Sequence, residues 1–268
     1  MSSTPVRKGN RKQQEFDEIF TKFTALEGTS SFHKFVDNFV DNEIRQLEKP
    51  ELFADLLLKA LKSGGLASIP AFRGLLFLVL EKNFAVDNLY EEVYKLLRPT
   101  TVFSNQSQKL LELVGSSLSS PYLPQYTLAA FAKKLARLLL IAPVQQQLMI
   151  LNVLKNICHT HPAIFDLLAN RSEPATLASD PYDPEAPITE SKASESSLWE
   201  LKAIHHHWYI RVADRSKFIH GNRPEQRVKI VGEDVAEAIL NKLKTDNAAL
   251  NPKFGLKPLE ATRDLICD

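Results

Sequence analysis

The chain has 268 residues, 44% of them apolar, and a formal net charge of +1. That apolar share supports a substantial core and excludes wholesale disorder, while the near-neutral total gives no whole-chain argument for nucleic acid. Two cysteines, Cys158 and Cys267, exclude a disulfide framework or a zinc knot and fit a reducing compartment.

No apolar run reaches the ~18 residues of a membrane span. The basic start, with Arg7, Lys8, Arg11 and Lys12, is not followed by the apolar stretch of a secretory signal. Residues 1–12 are expected to be a flexible basic tail. Residues 13–169 then read as a helical array. Phe16, Ile19, Phe20 and Phe23 recur at helical spacing, and a second helix is expected over 31–47 through Phe32, Phe35, Val36, Phe39, Val40 and Ile44. Pro50 restarts the chain for a helix that ends at Gly64-Gly65. The helix that follows Pro70, with Phe72, Leu75, Leu76, Leu78, Val79 and Leu80, is apolar on several faces and is expected to be central. Further helices are expected over 87–97, stopped by Pro99, and over 105–118.

The helix over 126–141 carries Leu128, Phe131, Ala132, Leu135 and Leu139 on one side. Lys133, Lys134 and Arg137 fall on the other. After Pro143 comes a helix ending near His159, then a short one over 162–168. Short turns and no strict repeat signature fit an all-α fold, an irregular α-solenoid of HEAT/armadillo-like helical repeats; a compact bundle is the alternative.

Residues 170–194 interrupt the array. They hold Pro174, Pro181, Pro184 and Pro187 among small and acidic residues, so no continuous helix is expected. This connecting segment reads either as a solvated linker or as a stretch that crosses the helical surface or meets a basic partner. Asp180 and Asp183, flanking Tyr182, are its candidate docking residues. C-terminal helices are expected over 195–246. Ser197 and Glu200 have the spacing of a capping box, and Leu198, Leu201, Ile204, His205 and Trp208 share a face of a helix reaching about His220. Pro224 is expected to precede a last helix, and 247–268 to form an irregular arm anchored by Phe254, Leu256 and Leu259.

The chemistry-bearing residues are sparse. Adjacent helical residues point about 100° apart, so His205-His206-His207 does not converge on one ion. There is no phosphate loop and no nucleophile elbow, and Cys158 reads as a buried small hydrophobe. No catalytic, cofactor-binding or metal residues are therefore assigned. Lys133, Lys134 and Arg137, and likewise Arg211, Arg215 and Lys217, form basic patches able to contact RNA phosphates. The same bases suit the acidic segment or an acidic protein partner equally well. No base-reading module accompanies them.

Asp180-Pro-Tyr-Asp-Pro184 followed by Glu195-Ser-Ser-Leu-Trp-Glu-Leu201 resembles the hallmark of the CBF/Mak21 domain family. The stretch from Leu123 to Leu138, residues 75–97 and His161-Pro162 resemble its small-subunit biogenesis branch in particular. The resemblance covers about residues 52–220 and corresponds to the C-terminal half of family members. One departure is clear: where the family has a His-Tyr-His-Pro turn, this chain reads His207-Trp208-Tyr209-Ile210. Loss of the proline leads to the expectation of a straighter, longer helix.

The resemblance implies a non-enzymatic assembly factor for the small ribosomal subunit in the nucleus and nucleolus. It implies a nucleolar heterodimer partner protein and pre-ribosomal particles with pre-rRNA, and also nuclear exit, with shuttling or nuclear-membrane association. Direct pre-rRNA binding is the alternative. A historical label points to CCAAT-type transcription factors, but the sequence carries no DNA-reading element. Ser197, Leu198, Trp199, Glu200 and Leu201 are the motif residues, with Trp199 and Leu201 as expected organisers of the second helical unit.

Overall fold

In a computed structural model the described residues are 6–169, 178–221 and 223–245, and no strand occurs among them. The chain divides into two compact units, Met1–Ser120 and Pro121–Asp268. The division lies at the Pro121 turn rather than in the acidic segment.

The first unit contains α1 (Val6–Leu26), α2 (Phe32–Asn38) continuing as a π-helical turn Phe39–Glu43, α3 (Ala54–Ser63), α4 (Ser68–Lys82), α5 (Leu89–Leu96), the short α6 (Pro99–Val102) and α7 (Ser107–Ser117). The helix α1 begins well before Gln13, inside the stretch expected to be a flexible tail. Pro50 opens a 3-10 turn leading into α3, and Pro99 opens α6. In a first helical turn the missing proline N–H removes no bond. The central helix is α4, packed on α2, α3 and α7. Gly74 makes that approach possible, since a Cβ there would meet Leu57 Cδ1 and Val40 Cγ2 at 2.9 Å. Aromatic pairs fill the space between α1, α2 and α3: Phe23 meets Phe32 edge-on at 5.0 Å, and Phe39 meets Phe53 at 5.1 Å.

The second unit contains α8 (Gln125–Leu139), α9 (Val144–Thr160), α10 (Pro162–Ile164) with a π-helical turn Phe165–Ala169, α11 (Trp199–Ala203), α12 (Ile210–Ser216) and α13 (Val235–Thr245). Here α8 packs on α9, α10 and α11, and α12 packs on α9. Nearly every residue of α8 from Thr127 to Leu139 is buried, both lysines included.

Three sequence expectations for this unit are corrected. Helix does not run from Ser197 to His220: α11 ends at Ala203, a 3-10 turn spans Ile204–His206, and His207 to Tyr209 are extended before α12 starts. The turn survives without the proline because Tyr209 N–H bonds His207 Nδ1 at 3.1 Å. Trp208, placed on the inner face by its spacing, is half exposed (50%) on that turn. Finally, the last helix starts only at Val235. Residues 223–234 before it form an irregular strap on α9. Asn156 donates to Val228 O at 2.8 Å and accepts from Val228 N–H at 2.7 Å. Asn152 donates to Lys229 O at 3.0 Å, and His159 Nδ1 lies 2.8 Å from Pro224 O. Spacings of four and three place these side chains along one face of α9. The expected C-terminal arm with Phe254, Leu256 and Leu259 lies outside the described residues.

Candidate functional site

Lys133 and Arg137 are one helical turn apart on α8, so they project from one face. That face is turned inward. Lys133 is fully buried, Lys134 is 8% exposed, and the Arg137 side chain is 18% exposed. Of the partners left open for these bases, the acidic segment is the one they meet here, and their charges are taken up inside the unit.

Lys133 Nζ lies 2.7 Å from Asp180 Oδ2, 2.6 Å from Glu200 Oε1 and 2.7 Å from Ser197 O. An ammonium has three N–H donors, and these oxygens match them in number. Arg137 lies 2.8 Å from Asp180 Oδ2 through a terminal nitrogen and 3.0 Å from Glu200 Oε1 through Nε. Both carboxylates have no solvent exposure. Asp180 also accepts from Trp199 Nε1 at 2.8 Å, from the Ser196 hydroxyl at 2.5 Å and from Tyr182 N–H at 3.1 Å. The indole ring is a second acceptor of positive charge, with Arg137 Cζ 4.9 Å and Lys133 Nζ 5.4 Å from its centroid. The cluster is charge-balanced, two cations against two anions, as burial requires.

The two acids respond differently to this setting. Burial raises the Asp180 pKa, but hydrogen bonds from Lys133, Ser196, Trp199 and the Tyr182 amide outweigh it and hold the carboxyl down at about 2. For Glu200 burial dominates and its pKa is raised, against the pull of Lys133 and Arg137.

The structure therefore brings together Lys133, Arg137, Asp180, Trp199 and Glu200. Lys134 joins at the edge, donating to Pro184 O at 2.7 Å. Asp183 does not enter: it is exposed, and its Oδ1 accepts from Glu185 N–H at 2.9 Å. Around it the acidic segment folds back, with Asp183 N–H on Ser191 O at 3.0 Å and Tyr182 and Ile188 buried. Ser197 and Glu200 do not form a capping box. Glu200 is drawn to the buried cations, and the buried Ser197 hydroxyl makes no hydrogen bond. Leu198 and Leu201 are core, and Leu198 N–H bonds Leu168 O at 3.0 Å.

The other basic group lies on and just after α12. Arg211 pairs with Glu233 at 2.8 Å, Arg215 with the same carboxylate, and Lys217 with Asp214 at 2.5 Å. Arg215 thus ties α12 to the strap. The strap-holding Asn152, Asn156 and His159 were not among the sequence candidates, although they form a polar stripe at helical spacing along α9.

Among the described residues, no group of three or more His, Cys, Asp or Glu is placed to hold a metal ion, and no helix is long and apolar enough to cross a membrane. Cys158 is fully buried, and burial pushes its thiol up to about 12. What the ionic cluster does chemically is fix position: it joins α8 to the loop carrying Asp180 and to the start of α11.

The residues of this cluster lie within a stretch shared with known proteins. A profile of the CBF/Mak21 family matches residues 68–216, more than half of the chain. The chain is 38% identical over 206 residues to Nucleolar complex protein 4 homolog of Homo sapiens, covering 76% of this chain and 40% of that protein. It is 32% identical over 230 residues to the protein of the same name from Gallus gallus, covering 85% and 45% respectively. An uncharacterised Caenorhabditis elegans protein is 35% identical over 187 residues, 69% of this chain and 37% of that one. The chain thus spans less than half the length of the curated relatives it matches. With the family profile running from α4 to the end of α12 and enclosing the whole buried cluster, the chain belongs to the CBF/Mak21 family.

Proposed function

We propose that the protein is a nucleolar assembly factor in small (40S) ribosomal subunit biogenesis, docking on pre-ribosomal particles through protein–protein contacts. The observation that carries this reading is the likeness to proteins named Nucleolar complex protein 4 homolog over most of the chain. The structure is compatible with a scaffold. The family motif is spent on an internal lock that holds one helical unit in shape, and the bases of α8 are inside that lock rather than available to a phosphate backbone. The proposal includes a nucleolar heterodimer partner, residence in the nucleolus with shuttling during subunit export, no catalytic turnover, and an irregular α-solenoid rather than a compact bundle.

The test is affinity purification of the tagged full chain from nuclear extract, with and without nuclease and across salt, together with imaging of the tag. A nucleolar signal and a partner retained after nuclease and at high salt are expected, because an apolar protein interface is little screened. Exclusion from the nucleolus, or loss of all partners on nuclease treatment, overturns the reading.

A further inference from the structure

The clearest unassigned feature of the second unit is a concavity of about 630 Å³ lined by Lys202, His205, His206, Lys217, His220 and Gly221. Every ionisable side chain lining it is a base. It lies where α11, the Ile204–His206 turn, α12 and the Lys217–His220 turn meet. The rings of His205 and His220 are 5.2 Å apart at their centroids, and those of His205 and His206 5.5 Å. His205 Nδ1 is buried without a hydrogen-bond partner.

The acids on these elements are already engaged. Glu200 on α11 is bound to Lys133 and Arg137, and Asp214 on α12 to Lys217. Arg211 and Arg215, also on α12, are both paired with Glu233. Lys202 and the partly engaged Lys217 therefore leave an excess of positive charge. Two residues beyond His206, the exposed Trp208 ring lies against His207 and Tyr209, with centroids at 5.5 and 5.6 Å.

We propose that this concavity binds the phosphates of single-stranded RNA, with a base stacked on Trp208. A cluster of bases with a half-exposed aromatic ring two residues along the chain suits a single-stranded polynucleotide. An acidic peptide would use the charges and leave the indole without a role. Binding tightens as pH falls, because His220 protonates and adds charge. Burial and the neighbouring His205 and Lys202 lower the His220 pKa, so an anion seated there would favour its protonation. The site uses neither α8 nor the ionic cluster and does not depend on the particle-docking reading.

The experiment is fluorescence anisotropy of a labelled short oligouridylate with the full chain, run at about pH 7.5 and about pH 5.5 and between about 50 and 200 mM salt. Circular dichroism checks that each protein is folded. Tighter binding at the lower pH is expected. Lys202→Gln should weaken binding about fivefold or more and reduce the salt slope by about one, and His220→Gln should abolish much of the tightening at about pH 5.5, whereas the exposed control Lys62→Gln should do neither. Trp208→Ala, at a half-exposed position, should weaken binding about fivefold or more with the salt slope unchanged. Equal affinity of the wild type and all these variants overturns the proposal. So does full competition by polyglutamate at equal charge, which makes the ligand an acidic peptide. Nucleolar imaging is a separate readout, so failure here and failure of the assembly-factor reading are distinguishable.

Discussion

At Lys133 an ammonium with no exposed surface faces two carboxylates and a carbonyl, so its replacement strands the acids. Lys133→Met keeps the length and loses the charge. It should cost about 3–5 kcal/mol in urea unfolding, the usual consequence of leaving buried charge uncompensated. Asp180→Asn should also destabilise, but with a pH signature. The Asp180 carboxyl is held at about 2 in the folded protein against ~3.9 unfolded. Its contribution is complete above about pH 5 and is lost as pH falls toward 2. In the Asn variant that part of the acid loss should vanish from the stability–pH curve. Glu200 acts in the opposite sense, since its raised pKa penalises the charged form and the penalty is relieved as pH falls through the folded value. The contrast was not legible in the sequence. Helical spacing put Lys133, Lys134 and Arg137 on one face correctly, but spacing does not tell a wet face from a dry one. The deciding information was the acids at 180 and 200, which pairing in space brings to that face.

At the level of elements, apolar periodicity located most helices, because their stability comes from one buried stripe. It failed where backbone polar groups find side-chain partners. The turn at His207–Tyr209 is held by an imidazole, and the strap over 223–234 by Asn152, Asn156 and His159, so its apolar Val228, Ile230 and Val231 mimicked a helix pattern. Ile210 opens α12, follows a residue at φ −89° and ψ 109°, and is exposed. These are the conditions a proline accepts at a first helical position. Ile210→Pro, which restores the residue the family turn carries, should be neutral or stabilise by about 0.4–1 kcal/mol in thermal unfolding. Marked destabilisation would show that the Ile210 N–H or side chain is needed.

For the whole molecule, the family-matched stretch and the folding units do not coincide. The match covers 68–216, yet α4 packs on α2 and α3, which precede it, and α9 is covered by the strap, which follows it. A fragment of residues 68–216 would expose the α4 surface around Gly74 and the polar stripe of α9. It should unfold with a broadened, low-temperature transition and bind a hydrophobic dye, unlike the full chain. A sharp transition equal to that of the full chain would show the matched stretch to be self-sufficient.

The wide sequence separation of the ionic cluster also governs how the protein is made. Lys133 leaves the ribosome ahead of Glu200, its partner 67 positions later. At roughly 5–20 residues per second that gap lasts roughly 3–13 seconds. Until Asp180 and then Glu200 have emerged, α8 bears a cation that lacks its full set of acids, so the helix should not reach its final burial before the unit is complete. Completion of the motif at Glu200 should thus be what lets α8 bury its cations. A chain truncated before Glu200 should be cut by a protease faster than the full chain in limited proteolysis.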